Sequence, residues 1–302
     1  MNADRFGFYL NKLAITGLGF RSYFMKGTFH AARVSAKRGA LAILGQPDGK
    51  PSPGDRVEGF PNVVLRRLRE GITADTVDIS GIDISYSEIN QKNGETGKVE
   101  FKGTSARFFN VTNLAGRDPW CRGQVDTHLM GVGELKLEAL FNQANRACSY
   151  SIWGSMGTMP AEAVNQVTVP LGLARVKSGK IKSMGFKIEG SRVRNTGRLQ
   201  VLYKDFDLEM LGKKGNQTPI NTLIANGLVI DHNNPDDTGR PRSAHLDYTR
   251  RISDPFFGAL WQTLSRGIKA CVEGTKQASP PPHESFIKKL VKAPARLFGK
   301  KS

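Results

Sequence analysis

The run from Val176 to Leu211, VKSGKIKSMGFKIEGSRVRNTGRLQVLYKDFDLEML, carries the clearest alternation of apolar and polar positions in the chain. Met184, Phe186 and Ile188 fall on one face of an extended strand, and Lys187 and Glu189 fall on the other. After a polar turn at Ser191–Gly197, Leu199, Val201 and Tyr203 again share a face. Period two predicts pleated strands with one apolar and one wet side. The phase slips by one residue before Phe206, Leu208 and Met210 resume it, which predicts a β-bulge or bend at Lys204–Asp205. The expected central object is a one-sided antiparallel sheet.

Similar alternation recurs upstream. Leu13 and Ile15 alternate, Tyr23–Val34 reads as a longer strand, and Gly39–Gly45 reads as a short one. Strands also fit Thr73–Ile79 and Ile82–Glu88 with a phase change at Gly81, then Lys98–Lys102 after the turn Asn93–Gly97. Ala106–Thr112, Arg122–Met130, Glu134–Phe141 and Cys148–Trp153 complete about a dozen candidates with turns at the spacing of an all-β array. The Pro/Gly-rich connector Gly45–Asp55 excludes regular structure and marks a weak boundary around residues 45–60.

Helical periodicity is confined to a few segments. Asn62–Glu70 fits one or two turns, Pro160–Val169 a short crossing helix, and Asn216–Asn226 an apolar face of Ile220, Leu223 and Ile224. The longest is Asp254–Val272, where Phe257, Leu260, Trp261, Leu264 and Ile268 recur at three and four. Asp254 is expected as its N-cap and Pro255 at its first position. The bland expectation for this helix is docking over one end of the sheet. Residues 276–302 are expected as a flexible Pro-containing tail, whose end Glu284–Ser302 has six Lys/Arg interleaved among Phe286, Ile287, Leu290, Val291, Leu297 and Phe298. Such a tail suits an anionic membrane surface or a partner.

Composition adds a constraint on partners. The net charge is +17 with an isoelectric point near 9.9, which favours an anionic partner: nucleic acid, membrane surface or acidic protein. Cys121, Cys148 and Cys271 are too sparse for a disulfide framework or a zinc site and are expected as small buried residues. The N-terminus is not a signal peptide. No apolar run approaches the ~18 residues of a membrane span.

Catalytic patterns are missing. Gly154-Ser155-Met156-Gly157 lacks the first glycine of a nucleophile elbow, and Ser178-Gly179-Lys180 is followed by Ile181 where a phosphate loop needs Ser or Thr. His30, His128, His232, His245 and His283 are scattered, and the polar run around His232 (Asp231, Asp236, Asp237) is explained by a turn. The expectation is therefore a chain that is not an enzyme and has no cofactor and no metal. The aromatics alternate with aliphatics as on a core face, and no nucleic-acid module is recognisable. A basic β-rich module for nucleic acid or an acidic protein is the alternative.

What remains is a question of coverage. A dozen one-sided strands have too few helices to cover them, so the sheet either closes on itself or curls into a groove for apolar ligand. An acyl chain satisfies the second option, at about 0.8 kcal/mol per buried CH₂. Four stretches carry a resemblance: Thr76–Asn113, with SYSE, a turn and NVTN; Leu129–Phe141; Ser178–Asp207; and Asp254–Val272. Together, over about Thr73–Val272, the chain resembles the C-terminal region of AsmA-like envelope proteins, the group that includes TamB-type lipid-transfer proteins.

The resemblance implies a mainly β fold: a long twisted antiparallel sheet curled into a hydrophobic groove over residues 1–275, with few short helices and a C-terminal helix. It implies a non-enzymatic envelope protein that binds or conducts phospholipid or another acyl-chain lipid for outer-membrane biogenesis or assembly. It also implies a location in the cell envelope or periplasm, with inner-membrane anchoring expected if an upstream segment is missing. The residues expected to line the groove are Met184, Phe186, Ile188, Leu199, Val201, Tyr203, Phe206, Leu208 and Met210.

Overall fold

The structure is a computed structural model that describes residues 5–45, 54–90, 93–171, 174–211 and 231–273. Its strands are β1 (Arg5–Thr16), β2 (Thr28–Gly45), β3 (Gly71–Ile89), β4 (Thr96–Thr112), β5 (Trp120–Leu129) and β6 (Gly133–Asn142). They continue with β7 (Tyr150–Met156), β8 (Met159–Pro160), β9 (Ala174–Gly190), β10 (Arg194–Met210) and β11 (Ala244–Thr249). All 11 belong to one sheet in the order β1-β2-β3-β4-β5-β6-β7-β9-β10-β11, with β8 paired to β9. The sheet does not close into a barrel: β1 and β11 are its two edges. Helices are few: α1 (Phe20–Lys26), α2 (Pro61–Arg66), α3 (Asn165–Thr168) and α4 (Phe256–Val272).

The fold is thus mainly β, as the alternation predicts. Neighbouring strands run antiparallel except β2 and β3, which pair in parallel from Thr28↔Gly71 to Gly45↔Glu88. A parallel pair needs a crossover of a dozen or more residues, and residues 46–70 supply it. Most of the Pro/Gly-rich connector (46–53), the expected helix Asn216–Asn226 and the basic tail 276–302 lie outside the described residues.

Register turns the alternation of single strands into a property of the whole sheet. One cross-strand row reads Leu13, Ala36, Ile79, Ala106, Val125, Leu137, Gly154, Phe186, Leu199, Ala244. The row two residues along reads Ile15, Val34, Val77, Phe108, Gly123, Ala139, Ile152, Ile188, Gly197, Leu246. Paired residues point to the same side of a sheet, so one face is apolar from edge to edge. The row between them, on the other face, reads Ala14, Ser35, Asp78, Arg107, Gln124, Glu138, Trp153, Lys187, Arg198, His245. That side is wet and carries ion pairs such as Arg107–Asp78 (2.6 Å) and Lys187–Glu189 (2.9 Å).

The bulges fall where the phase slips. Asp205 has φ 54°, and the β9–β10 register shifts around it, as expected at Lys204–Asp205. Gly81 has φ 66° and marks a register shift between β3 and β4. The stretch Tyr23–Val34 departs from its strand expectation. Its first part belongs to α1, which ends at Gly27 in the left-handed conformation (φ 63°), and β2 starts at Thr28. A left-handed residue satisfies the last helical carbonyls while turning the chain, and the Gly27 amide donates to the Tyr23 carbonyl at 2.9 Å.

The main core lies where α4 crosses the apolar face of β10 and β11. Gly267 lets it approach: a Cβ there would sit 2.4 Å from Leu246 Cδ2. The first turn is not capped by Asp254, contrary to expectation. The buried Asp254 carboxylate instead accepts the Tyr248 hydroxyl and the Arg251 amide, which leaves it unavailable to the helix. A polar link runs beneath the helix: the Tyr150 hydroxyl donates to Asn195 Oδ1 (2.7 Å), and Asn195 Nδ2 donates to Thr263 Oγ1 (3.0 Å). At the other end, Arg242 donates to the Cys271 carbonyl (3.1 Å) and to the Tyr203 hydroxyl (2.9 Å).

The two ends of one apolar row are expected to differ sharply in energetic weight. Leu199→Ala, at a fully buried position, should lower unfolding stability by about 2–5 kcal/mol. Leu13→Ala, at a position 59% exposed, should change it by less than about 0.5 kcal/mol. Urea titrations of the two variants read the contrast, and equal losses would contradict it.

Candidate functional site

Eight of the nine residues expected to line a groove come together, but as core; the side chain of Met210 lies outside the described residues. Met184, Phe186, Ile188, Leu199, Val201, Tyr203 and Phe206 are all buried, and Leu208 is half-buried against the same cluster. Met210 pairs with Ala174 at the end of β10. The reason is α4, whose Phe256, Leu260, Leu264, Ile268 and Cys271 belong to or pack against that cluster. Phe60 and Phe256 close it further, with ring centroids 5.3 Å apart, and Phe256 also meets Tyr150 at 5.1 Å. The segment Ala161–Val164 packs on β9 beside it, so an apolar ligand at the buried positions would have to displace these elements.

Along both apolar rows, exposure rises away from α4. Leu199, Ile188, Leu246 and Phe186 are buried; Leu137, Val125, Ala106 and Ile79 are half-buried; Leu13 and Ile15 at the β1 edge are exposed. Two further rows lie beside these, with Ile43 buried and Phe101 and Leu129 packed against the core cluster. Phe8, Leu41, Ile84, Phe101 and Leu129 form one, and Phe6, Ile43, Tyr86 and Val99 form the other. Phe6 and Phe8 are 64% and 81% exposed. The candidate site is this open half of the face, on β1–β5. At about 4.8 Å per strand it is about 19 Å wide, longer than the ~15 Å of hydrocarbon in one bilayer leaflet.

A line of bulges crosses this floor. Arg38 on β2 and Gly81 on β3 lie opposite one another in the parallel register, and both are left-handed, as is Gly103 on β4 (φ 53°, 66° and 62°). On β1 the phase shift falls at Asn11, between Leu10↔Gly39 and Lys12↔Lys37. An extra residue in one strand would turn its apolar side outward. Extra residues at one level in neighbouring strands keep Leu10, Ile82 and Ile84 on the same face as Leu13 and Ile79, and they bend the sheet there. The bend is clasped from the polar side. Asp83 Oδ1 accepts the Gly103 amide at 2.9 Å and Oδ2 meets Lys102 Nζ at 3.1 Å. The Gly103 amide, with Lys102, holds the Asp83 carboxyl below its usual range.

Polar groups on the floor are paired and few. Thr104 and Thr127 hydroxyls meet at 2.8 Å, and Thr73 and Thr112 at 3.0 Å. His30 and Asp75 meet at 3.1 Å at one end. The residues named above in the four open rows carry no charge. The three thiols are buried and free, as expected, and burial pushes the Cys121 thiol up to about 12. No cluster of three or more His, Cys, Asp or Glu suited to a metal occurs among the described residues. In the run around His232, the imidazole Nδ1 contacts the Phe206 carbonyl (2.8 Å), Asp231 pairs with Arg242, and Asp236 caps Thr238. These are structural roles.

The open floor was missed because periodicity identifies an apolar face without saying what covers it. The signal for its β1 part was present as Phe6/Phe8/Leu10 followed, one residue out of phase, by Leu13/Ile15. No family model matches the chain, and no curated protein matches it. No helix among the described residues is long and apolar enough to cross a membrane.

The line of bulges is expected to be sensitive to its backbone. Gly81→Val places a branched side chain at positive φ and should cost about 1–3 kcal/mol of stability. Thermal denaturation reads this, and a variant as stable as the parent would show that the bend does not depend on Gly81.

Proposed function

We propose that the chain is a non-enzymatic lipid-binding module whose open apolar floor on β1–β5 receives acyl chains of phospholipid or a similar lipid. The observation that carries this reading is the continuous apolar face, sealed by α4 at one end and uncovered at the other. Large exposed apolar patches mark interaction surfaces. Here the exposed part continues the apolar rows of a packed core, across register shifts that keep the apolar side on one face. An acyl chain laid on Leu41, Ile79, Ile84 and Phe101 would complete what α4 completes over Phe186 and Leu199.

The resemblance of four ordered stretches to AsmA-like, TamB-type proteins supports the same reading. On that resemblance the proposed role is phospholipid binding or conduction for outer-membrane biogenesis in the cell envelope. The net charge of +17 suits lipids with anionic headgroups. The lining residues of this proposal are those of the open rows, in place of the core positions Met184, Phe186, Ile188, Leu199, Val201, Tyr203 and Phe206.

Native mass spectrometry of purified protein, with lipid extraction, tests the proposal. Phospholipid should copurify with the parent chain. Occupancy should fall at least about tenfold in Leu41→Glu with Ile84→Glu, because charges on the floor would have to be desolvated against hydrocarbon. Circular dichroism and melting verify that the variant is folded. Lipid retained in the folded variant, or lipid-free protein with tight salt-sensitive DNA binding, would overturn the proposal.

A further inference from the structure

The β1–β2 hairpin ends in α1, a seven-residue helix with no buried residue. So short a helix is not stable on its own in water, and this one has little of the protein to rest on. Phe20, Tyr23 and Phe24 follow at three and four on one side, and Met25 adjoins them. Phe20 is 66%, Phe24 81% and Met25 67% exposed, and Leu18 and Phe29 flank the helix, also exposed. Tyr23 stacks on Phe29 with ring centroids 4.3 Å apart, which ties the cluster to β2.

Within the β1–α1–β2 segment the charge has one sign, although Glu70 and Asp75 of the neighbouring β3 side lie near Thr28 and His30. Between Asp4 and Asp48 the sequence contains no Asp or Glu, while Arg5, Lys12, Arg21, Lys26, Arg33, Lys37 and Arg38 all fall in that stretch. Arg21 and Lys26 lie on α1 itself and are exposed. Exposed aromatics on a helix that carries cations and no acid of its own match the interfacial zone of an anionic bilayer, where rings enter the headgroup–acyl boundary and cations meet phosphate.

We propose that the α1 tip is a membrane-docking element that inserts Phe20, Phe24 and Met25 into the interface of an anionic phospholipid bilayer. Arg21 and Lys26 hold the headgroups. The tip lies where β1 meets β2, beside Ile15 and Val34 at the end of the open floor. It is a site distinct from that floor, because neither Leu41 nor Ile84 belongs to it.

Flotation with vesicles tests this. Full-length protein should bind phosphatidylcholine vesicles containing about 30 mol % phosphatidylglycerol and bind pure phosphatidylcholine weakly. Phe24→Ser with Met25→Ser should weaken binding about tenfold or more, without a change in melting temperature, since neither side chain is buried. Arg21→Gln and Lys26→Gln should each cost roughly fivefold, an effect lost at high salt. In Phe24→Trp, brominated lipid should quench fluorescence beyond the level of the parent, whose three tryptophans lie elsewhere. Leu41→Glu with Ile84→Glu should leave vesicle binding intact, which separates failure of the floor from failure of the tip. Unchanged flotation of Phe24→Ser with Met25→Ser would overturn the proposal. So would a parent dimer that this variant converts to monomer without loss of flotation, which would assign the tip to a second copy.

Discussion

Side chains of a β-strand alternate between two faces, so the pairing register of neighbouring strands decides whether apolar positions gather or scatter. In this chain they gather across ten strands. Leu13 at one edge and Ala244 at the other belong to the same row, linked by nine pairings without a polar residue between. A slip of one residue anywhere would send half of that face into water. The bulges at Arg38, Gly81, Gly103 and Asp205 are tolerated because their positions preserve this sidedness. The polar pairs on the opposite face, the approach of α4 at Gly267 and the placement of the aromatic cluster around Phe256 all follow from having one dry side.

Coverage then divides the sheet. Burial under α4 is typical of a protein core, with Ile188 and Leu199 fully enclosed and the polar atoms of Tyr150, Asn195 and Thr263 satisfied by one another. Arg242 ties the carbonyl of Cys271, near the end of the helix, to Tyr203, so a residue that alternation alone would call apolar lining has its hydroxyl committed to the cover. Farther from α4 the same rows meet less and less protein. The functional reading rests on this difference. A face that is chemically continuous but only half covered has room for something apolar on its open half.

Much of this was legible in the residues. The alternation at Met184–Ile188 and Leu199–Tyr203, the slip at Asp205, the phase change at Gly81 and the long amphipathic helix all have local signals. Three features did not. The parallel pairing of β2 with β3 depends on where a crossover returns, which no local pattern records. The α1 turn interrupts what reads as a strand, because Phe20, Tyr23 and Phe24 suit a strand as well as a helix and only Gly27 marks the break. Most consequential, the alternation of Phe186 and Leu199 is indistinguishable from that of Ile79 and Leu41, although the first pair is core and the second borders open space. What separates them is the landing place of a helix more than fifty residues downstream of Leu199.

The most direct test of the open-floor assignment is photo-crosslinking with a phospholipid that carries a diazirine on its acyl chain, mapped by peptide mass spectrometry. Labels should concentrate on β1–β4, at Phe8, Leu13, Leu41, Ile79, Ile84 and Phe101, and spare β9 and β10 beneath α4. Labels centred on Phe186, Leu199 and Val201, or spread without preference over the polar face, would contradict the assignment of the uncovered half as the lipid-binding surface.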